Sequence, residues 1–151
     1  FAFKTGVRTF EAASYLKKSG ADTIEVKKLF NSDIKDFITK AEIIQNAKVI
    51  NNNICLAYTK TETDNINIVI AQAADELLNI KEVEASFVLA RKDDRVFISA
   101  RSLGNINVHV LMENLGGGGH RDMAGAQLDT SLEKAYEMVK DTIQTYIKEE
   151  E

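Results

Sequence analysis

The chain has 151 residues, 44% of them hydrophobic, and a formal net charge of −4. This length and apolar content suit one ordinary domain with a packed core, and exclude wholesale disorder. The acidic balance argues against a protein that coats nucleic acid, because that role needs an excess of lysine and arginine. No run approaches the ~20 consecutive apolar residues of a membrane-spanning helix.

The first residues of the chain are interpreted as part of a longer protein that continues upstream. Phe1 is not an initiator residue, and Phe1–Lys4 is typical of the end of a strand rather than of a signal peptide. We therefore expect further residues upstream. Cys55, the only cysteine, excludes an internal disulfide and a thiolate-based metal site. It fits a reducing, cytoplasmic setting, and we expect an inert buried thiol.

The first 47 residues are predicted to be helical. Apolar residues recur at helical spacing over residues 9–19. Asp22 has the position of a cap for a short helix that reaches residue 30. A third helix is expected over residues 34–47. One face of this helix consists of Ile34, Phe37, Ile38, Ala41 and Ile44.

From residue 48 the pattern changes to short strands alternating with helices. Asparagines at 51–53 favour a turn, and Asp93-Asp94 favours a hairpin. Asp64 and the capping-box spacing of residues 130–133 mark helix starts, although residues 66–68 alone also suit a strand. The predicted elements are strands at 48–50 and 54–58, a helix from 66, strands at 85–91 and 95–102, a helix after Asn107, a strand at 123–128 and a last helix from 132.

This order predicts an α/β fold, with a mixed sheet of about five strands packed with helices and preceded by a helical connector. We expect residues 48–151 to form one domain. Residues 1–47 are interpreted as the end of a preceding domain plus a linker.

Four consecutive glycines, Gly116, Gly117, Gly118 and Gly119, precede His120. One glycine is enough to end the preceding helix. Each further glycine costs roughly 0.5–1 kcal/mol relative to alanine, so we expect a ligand that approaches the backbone to offset the cost. The run follows a helix and lacks a Gly-Lys-Ser/Thr sequence, so it is not a P-loop.

A second candidate lies on the predicted strand 95–102. Period-two alternation places Ser99 and Arg101 on one face and the apolar residues on the other, with Ser102 at the strand end. Arginine binds phosphate oxygens bidentately and serine adds a neutral donor. Together with the glycines and His120 they suit an anion-and-base pocket, although a solvated strand face is equally open. His109 is expected to face solvent or its neighbours, and the scattered histidines do not indicate a metal site.

Residues 98–102 and 116–126 resemble the C-terminal substrate-binding domain of the DHH phosphoesterase superfamily, whose signature is a Gly-Gly-Gly-His loop. Residues 1–13 resemble the end of the catalytic DHH domain of cyclic-di-AMP phosphodiesterases of the GdpP or YybT family. The resemblance covers essentially the whole chain.

The resemblance implies a division of labour within a hydrolase. A two-manganese cluster in the DHH domain would activate the water that attacks the phosphodiester, and the present domain would hold the nucleotide. It implies that Gly117, Gly118, Gly119 and His120 hold a phosphate or base, and that Ser99, Arg101 and Ser102 hold phosphate. The sequence has no Asp-His-His motif, so we expect the manganese ligands upstream and this part alone to bind no metal and be inactive. Parents in this family are expected to be membrane-anchored, with this part in the cytoplasm.

The expected partners are a cyclic dinucleotide or short oligonucleotide and the upstream DHH domain. The sequence leaves open whether the protein forms a homodimer. The alternative is a single-stranded nucleic-acid-binding module of a RecJ-like nuclease, or part of a short-oligonucleotide phosphodiesterase. The negative charge and few free aromatic residues favour a short ligand, because tracking a long strand needs both cations and exposed rings.

Overall fold

A computed structural model describes residues 5–51 and 53–150. The strand end predicted at Phe1–Lys4, and Asn52 of the predicted turn, lie outside the described residues. The chain divides into two compact units, residues 1–33 and 34–151. The division therefore falls before the third helix, whereas the predicted domain boundary followed it.

The first unit contains helices α1 (Val7–Lys18) and α2 (Thr23–Lys28). Gly20 adopts a positive φ of 97° after α1, as expected of a residue that ends a helix. The Asp22 carboxylate accepts a hydrogen bond from the Ile24 amide at 2.8 Å, so the predicted cap of α2 is confirmed.

In the part of the second unit that the structure describes there are four helices and six strands. In chain order they are α3 (Ile34–Gln45), β1 (Lys48–Ile50), β2 (Ile54–Thr59), α4 (Ile66–Leu77), β3 (Ala85–Lys92), β4 (Arg95–Ser102), α5 (Val108–Glu113), β5 (Gly118–His120), β6 (Met123–Leu128) and α6 (Leu132–Glu150). None of the helices in the described ranges is long and apolar enough to cross a bilayer.

The six strands form one mixed sheet in the order β1-β2-β3-β4-β6-β5. β2 and β3 pair in parallel and the other neighbours are antiparallel. The predicted α/β class with a mixed sheet is confirmed. The strand that the sequence pattern missed is β5, which lies inside the glycine run, where residues without side chains give no alternation signal.

Each face of the sheet supports its own hydrophobic core. Val96, Ile98 and Ala100 of β4 belong to the core that includes α5 and α6. Phe97, from the opposite face of β4, packs against the core that includes α4 and Ile43 of α3. The predicted alternation along β4 is therefore confirmed.

The apolar face predicted for α3 is mostly exposed in the structure. Ile34, Phe37 and Ile38 are 73%, 58% and 49% exposed, Ala41 is exposed, and Ile44 is half-buried. The buried residues of α3 are Asp36, Thr39 and Ile43. The carboxylate of Asp36 accepts a hydrogen bond from the side-chain amide of Asn65 at 2.9 Å. Periodicity identified an apolar stripe, but tertiary packing uses a neighbouring one.

Two predicted caps are displaced by one residue. Asn65, not Asp64, is the residue before α4, and it makes no capping bond with its side chain, because its amide is bonded to Asp36. At α6 the cap is the Ser131 hydroxyl, which accepts a hydrogen bond from the Lys134 amide at 3.2 Å. Thr130 therefore does not open a capping box. At the start of both helices, residue types that favour the N-cap stand at adjacent positions, so the sequence alone does not show which of them is the cap.

Cys55 on β2 is fully buried, and burial raises the pKa of its thiol. We expect an uncharged alkylating reagent such as iodoacetamide to label Cys55 at pH 8 far more slowly in the native protein than in the urea-unfolded protein. In the native protein both the access to the thiol and its thiolate fraction are low. Equal labelling rates in the two states would contradict this assignment. The measurement is mass spectrometry of the labelled fraction against time.

Candidate functional site

Three neighbouring strands bring the predicted site residues into one region of the sheet. β6 lies between β4 and β5. In the register, Ser99 is opposite Gly125, which is opposite Gly118, and Arg101 is opposite Met123, which is opposite His120. Two strand spacings, about 10 Å, therefore separate the β4 residues from the glycine strand. The expected proximity of the two segments is present, with one strand between them.

The Arg101 guanidinium is held by a network of three acceptors. Its Nε donates to the Asp75 carboxylate of α4 at 2.9 Å, and its Nη1 donates to the Ser99 hydroxyl at 3.1 Å and the Ala100 carbonyl at 3.0 Å. The side chain is only 15% exposed, and Nη2 makes no hydrogen bond with the described residues. The network fixes the guanidinium and leaves one nitrogen for an external anion.

Sequence reasoning missed Asp75. It lies on the helix that covers this face, 26 residues before its partner Arg101. No local pattern marks it, because a carboxylate on an exposed helical position is ordinary. Only the packing of α4 across β4 identifies it as the counter-ion of the site.

Ser102 lies apart from Ser99 and Arg101. Side chains alternate between the two faces along β4. Ser102 therefore lies on the face of Ile98 and Ala100, opposite to that of Ser99 and Arg101. Its hydroxyl is buried and accepts a hydrogen bond from the Gly104 amide at 2.9 Å. Ser102 therefore stabilises the turn after β4 and does not join the other two residues.

Gly116 ends the helical segment that contains α5, as predicted. Its φ is 76°. The Gly117 amide donates to the Met112 carbonyl at 2.8 Å and the Gly116 amide to the Glu113 carbonyl at 2.9 Å. This pair of bonds is the Schellman motif, which favours glycine at the left-handed position.

Two further glycines are required by packing against β6. A Cβ at Gly117 would lie 2.2 Å from the Gly125 carbonyl oxygen, and one at Gly119 would lie 2.4 Å from the Met123 carbonyl oxygen. Gly119 also has a φ of 150°. Close approach of β6 already accounts for these two glycines, so their cost does not by itself require a ligand.

Gly118 is the exception within the run. A Cβ there would meet only the Cε1 atom of His109, at 4.0 Å, which is ordinary contact. Gly118 also lies on β5, the edge strand of the sheet. An edge strand leaves one row of backbone N–H and C=O groups unpaired, so this is the position where external groups can approach main chain.

The two histidines differ in their surroundings. His120 is exposed at the end of β5, and its ring forms no bond with the part of the chain that the structure describes. His109 lies on α5, with Nε2 3.3 Å from the Glu113 carboxylate, while its Nδ1 is buried and has no hydrogen-bond partner among the described residues. Of the two expected surroundings, solvent or neighbouring residues, His109 has a neighbour on its own helix, Glu113.

A groove of about 460 Å³ runs beside α4 on the face of the sheet that carries Ser99. Its wall and floor include Asn67, Ile70, Phe97, Ser99, Gly116, Gly117, Gly125 and Gln127. The groove thus brings Ser99 to the first half of the glycine run. Arg101, Ser102, Gly118, Gly119 and His120 are not among its lining residues.

The described residues do not fit a manganese cluster. Within residues 5–51 and 53–150, no group of three or more histidine, cysteine, aspartate or glutamate side chains is arranged to hold a metal ion. The Asp75 carboxylate is paired with Arg101. We therefore derive no catalytic step through a metal at these residues.

The chain belongs to the DHHA1 domain family, whose profile matches residues 51–149. It is 44% identical over 98% of its length to the cyclic-di-AMP phosphodiesterase GdpP of Bacillus subtilis. It is 40% identical over 99% of its length to the cyclic-di-AMP phosphodiesterase PdeA of Listeria monocytogenes. The chain spans 23% of the length of each of these relatives. The predicted resemblance to DHH-family phosphodiesterases is confirmed.

A solved structure shows the same fold at lower identity. The exopolyphosphatase-related protein from Bacteroides fragilis matches with a TM-score of 0.80 and 21% identity, over 94% of this chain and 44% of that one. This likeness supports the arrangement of strands and helices described above.

Proposed function

We propose that this chain is the substrate-recognition part of a manganese-dependent phosphodiesterase that hydrolyses cyclic-di-AMP to the linear dinucleotide. The observation that carries the proposal is the 40–44% identity, along nearly the whole chain, to two proteins named as cyclic-di-AMP phosphodiesterases. Because the chain spans 23% of those proteins, we assign the catalytic DHH domain and its manganese ions to the rest of the enzyme. This part would work in the cytoplasm.

The Arg101 network supports a phosphate-binding role for this face of the sheet. The guanidinium is fixed by Asp75 and Ser99, so binding an anion through Nη2 loses little side-chain entropy. The nearby Asp75 carboxylate is itself half-exposed and remains solvated. A charge-assisted bond from a positioned arginine to a phosphate oxygen is stronger than a bond between neutral groups.

The glycine strand supports a second contact with the nucleotide. A Cβ at Gly118 would meet only the His109 ring, at 4.0 Å, and Gly118 lies on the sheet edge. His120, two residues further along β5, is exposed. We assign the open backbone of Gly118 and the His120 ring to the phosphate or sugar of the ligand. Gly116, Gly117 and Gly119 would shape this segment, with no contact of their own required.

The test is the activity of the full-length enzyme that contains this chain. With manganese present, it is expected to convert cyclic-di-AMP to the linear dinucleotide, measured by chromatography of the products. A Gly118→Val variant should lose at least tenfold in kcat/KM, because the branched side chain blocks the approach to the edge backbone. Gly118→Ala is the matched control for folding.

A different substrate would overturn the proposal. An enzyme that degrades long single-stranded DNA and leaves cyclic-di-AMP intact would be a RecJ-like nuclease. Unchanged kinetics in Gly118→Val would contradict the assignment of the glycine strand to the substrate.

A further inference from the structure

The groove beside α4 is lined entirely by uncharged residues. No lysine, arginine, aspartate or glutamate is among the lining residues, although Arg101 and Asp75 pair on the same face of the sheet. An anionic phosphodiester bound there would lose hydration without a cation to replace it. The groove is therefore suited to a neutral group rather than to the phosphates of a nucleotide.

Two side-chain amides in the groove are unused. Asn67, on the first turn of α4, and Gln127, on β6, both line it and are both exposed. Neither side-chain amide forms a hydrogen bond with any residue in the described ranges. Each therefore presents one donor and one acceptor group to a ligand.

An aromatic ring and a suitable volume complete the site. Phe97 lines the groove and is opposite Gln127 in the register of β4 and β6. Aromatic rings bind nucleobases by stacking. The volume of about 460 Å³ lies within the roughly 300–1,000 Å³ typical of small-molecule pockets.

We propose that this groove binds one base of the substrate and selects adenine over guanine, with Asn67 and Gln127 as specificity-determining residues. The inference rests on the proposed function and extends it to base recognition. An amide pairs bidentately with the adjacent donor and acceptor, N6 and N7, of adenine. The O6 and N7 atoms of guanine are two acceptors, which call for arginine or lysine, and the groove lining contains neither.

The experiment compares kcat/KM of the full-length enzyme for cyclic-di-AMP and cyclic-di-GMP. Asn67→Leu and Gln127→Leu are expected to lower kcat/KM for cyclic-di-AMP by about tenfold or more each. The value for cyclic-di-GMP should change little, so the ratio of the two should fall by the same factor. Gln72→Leu is the matched control, since Gln72 is an exposed glutamine of α4 outside the groove lining.

The outcomes separate this inference from the function on which it rests. If the unmodified enzyme has no activity on cyclic-di-AMP, the proposed function fails and this inference with it. If it is active and both leucine variants keep the selectivity ratio, the inference alone is overturned. The two residues lie on different elements, so a variant that fails to fold, as judged by urea denaturation, leaves the other as the test.

Discussion

Replacing Gly117 with alanine is expected to lower the free energy of unfolding by about 1–3 kcal/mol. The new Cβ would lie 2.2 Å from the Gly125 carbonyl oxygen and 2.6 Å from the Ala126 Cβ. Backbone and β-carbon atoms cannot rotate away as the end of a long side chain can, so β6 must shift. Overpacking of this kind typically costs about 1–3 kcal/mol, a large part of a domain stability of ~5–15 kcal/mol.

Gly118→Ala is the matched control, one residue along the chain. Its Cβ would meet only the His109 Cε1 atom at 4.0 Å, and φ there is not positive. We expect this variant to have the stability of the unmodified protein or slightly more, because alanine removes backbone freedom from the unfolded chain.

Urea denaturation followed by circular dichroism measures both variants. A midpoint for Gly117→Ala equal to that of Gly118→Ala would show that β6 does not approach the glycine run as closely as described. It would also restore the idea that Gly117 is kept for a ligand.

The glycine run shows where sequence reasoning about function fails. The entropy cost of extra glycines was a sound reason to expect something that offsets it. The sequence could not indicate that the offset at Gly117 and Gly119 is a neighbouring strand, since that strand is brought there by tertiary pairing. The argument that a ligand offsets the cost of glycine still applies at Gly118, because no neighbouring strand would clash with a side chain there.

Local periodicity predicted most of the sheet. The alternation of Val96, Ile98 and Ala100 with Phe97 and Ser99 fixed which face of β4 is apolar, because side chains in a strand alternate strictly. The hairpin at Asp93 was equally local, and Asp93 has the positive φ of 54° that tight turns use.

The errors concern contacts between elements. α3 exposes Phe37 and buries Asp36, whose carboxylate accepts a hydrogen bond from Asn65 at the start of α4. The Arg101–Asp75 pair likewise joins β4 to α4. Such choices depend on how elements pack, which no window of a single sequence contains.

Replacing Arg101 with alanine is expected to lower kcat/KM for cyclic-di-AMP in the full-length enzyme by roughly 10- to 100-fold. Hydrogen bonds to charged groups contribute about 1.5–3 kcal/mol each, and each 1.4 kcal/mol is a factor of ten. The fold should survive, because the Asp75 carboxylate left behind is 56% exposed and stays hydrated.

Arg101→Lys separates charge from geometry. Lysine keeps the positive charge but lacks the fork that binds Asp75 and Ser99 together, so its ammonium is less well positioned. We expect a loss intermediate between the unmodified enzyme and Arg101→Ala. A lysine variant as active as the unmodified enzyme would show that charge alone is needed.

Arg95→Ala is the matched control on the same strand. Arg95 has the same parity on β4 as Arg101 and also forms an ion pair, with Asp129 at 3.0 Å. It lies at the opposite end of the strand, away from the glycine run. The measurements are the steady-state kcat/KM and the midpoint of urea denaturation of the three variants. If Arg101→Ala and Arg95→Ala have the same kcat/KM, Arg101 does not bind substrate, and its pair with Asp75 serves only to join α4 to β4.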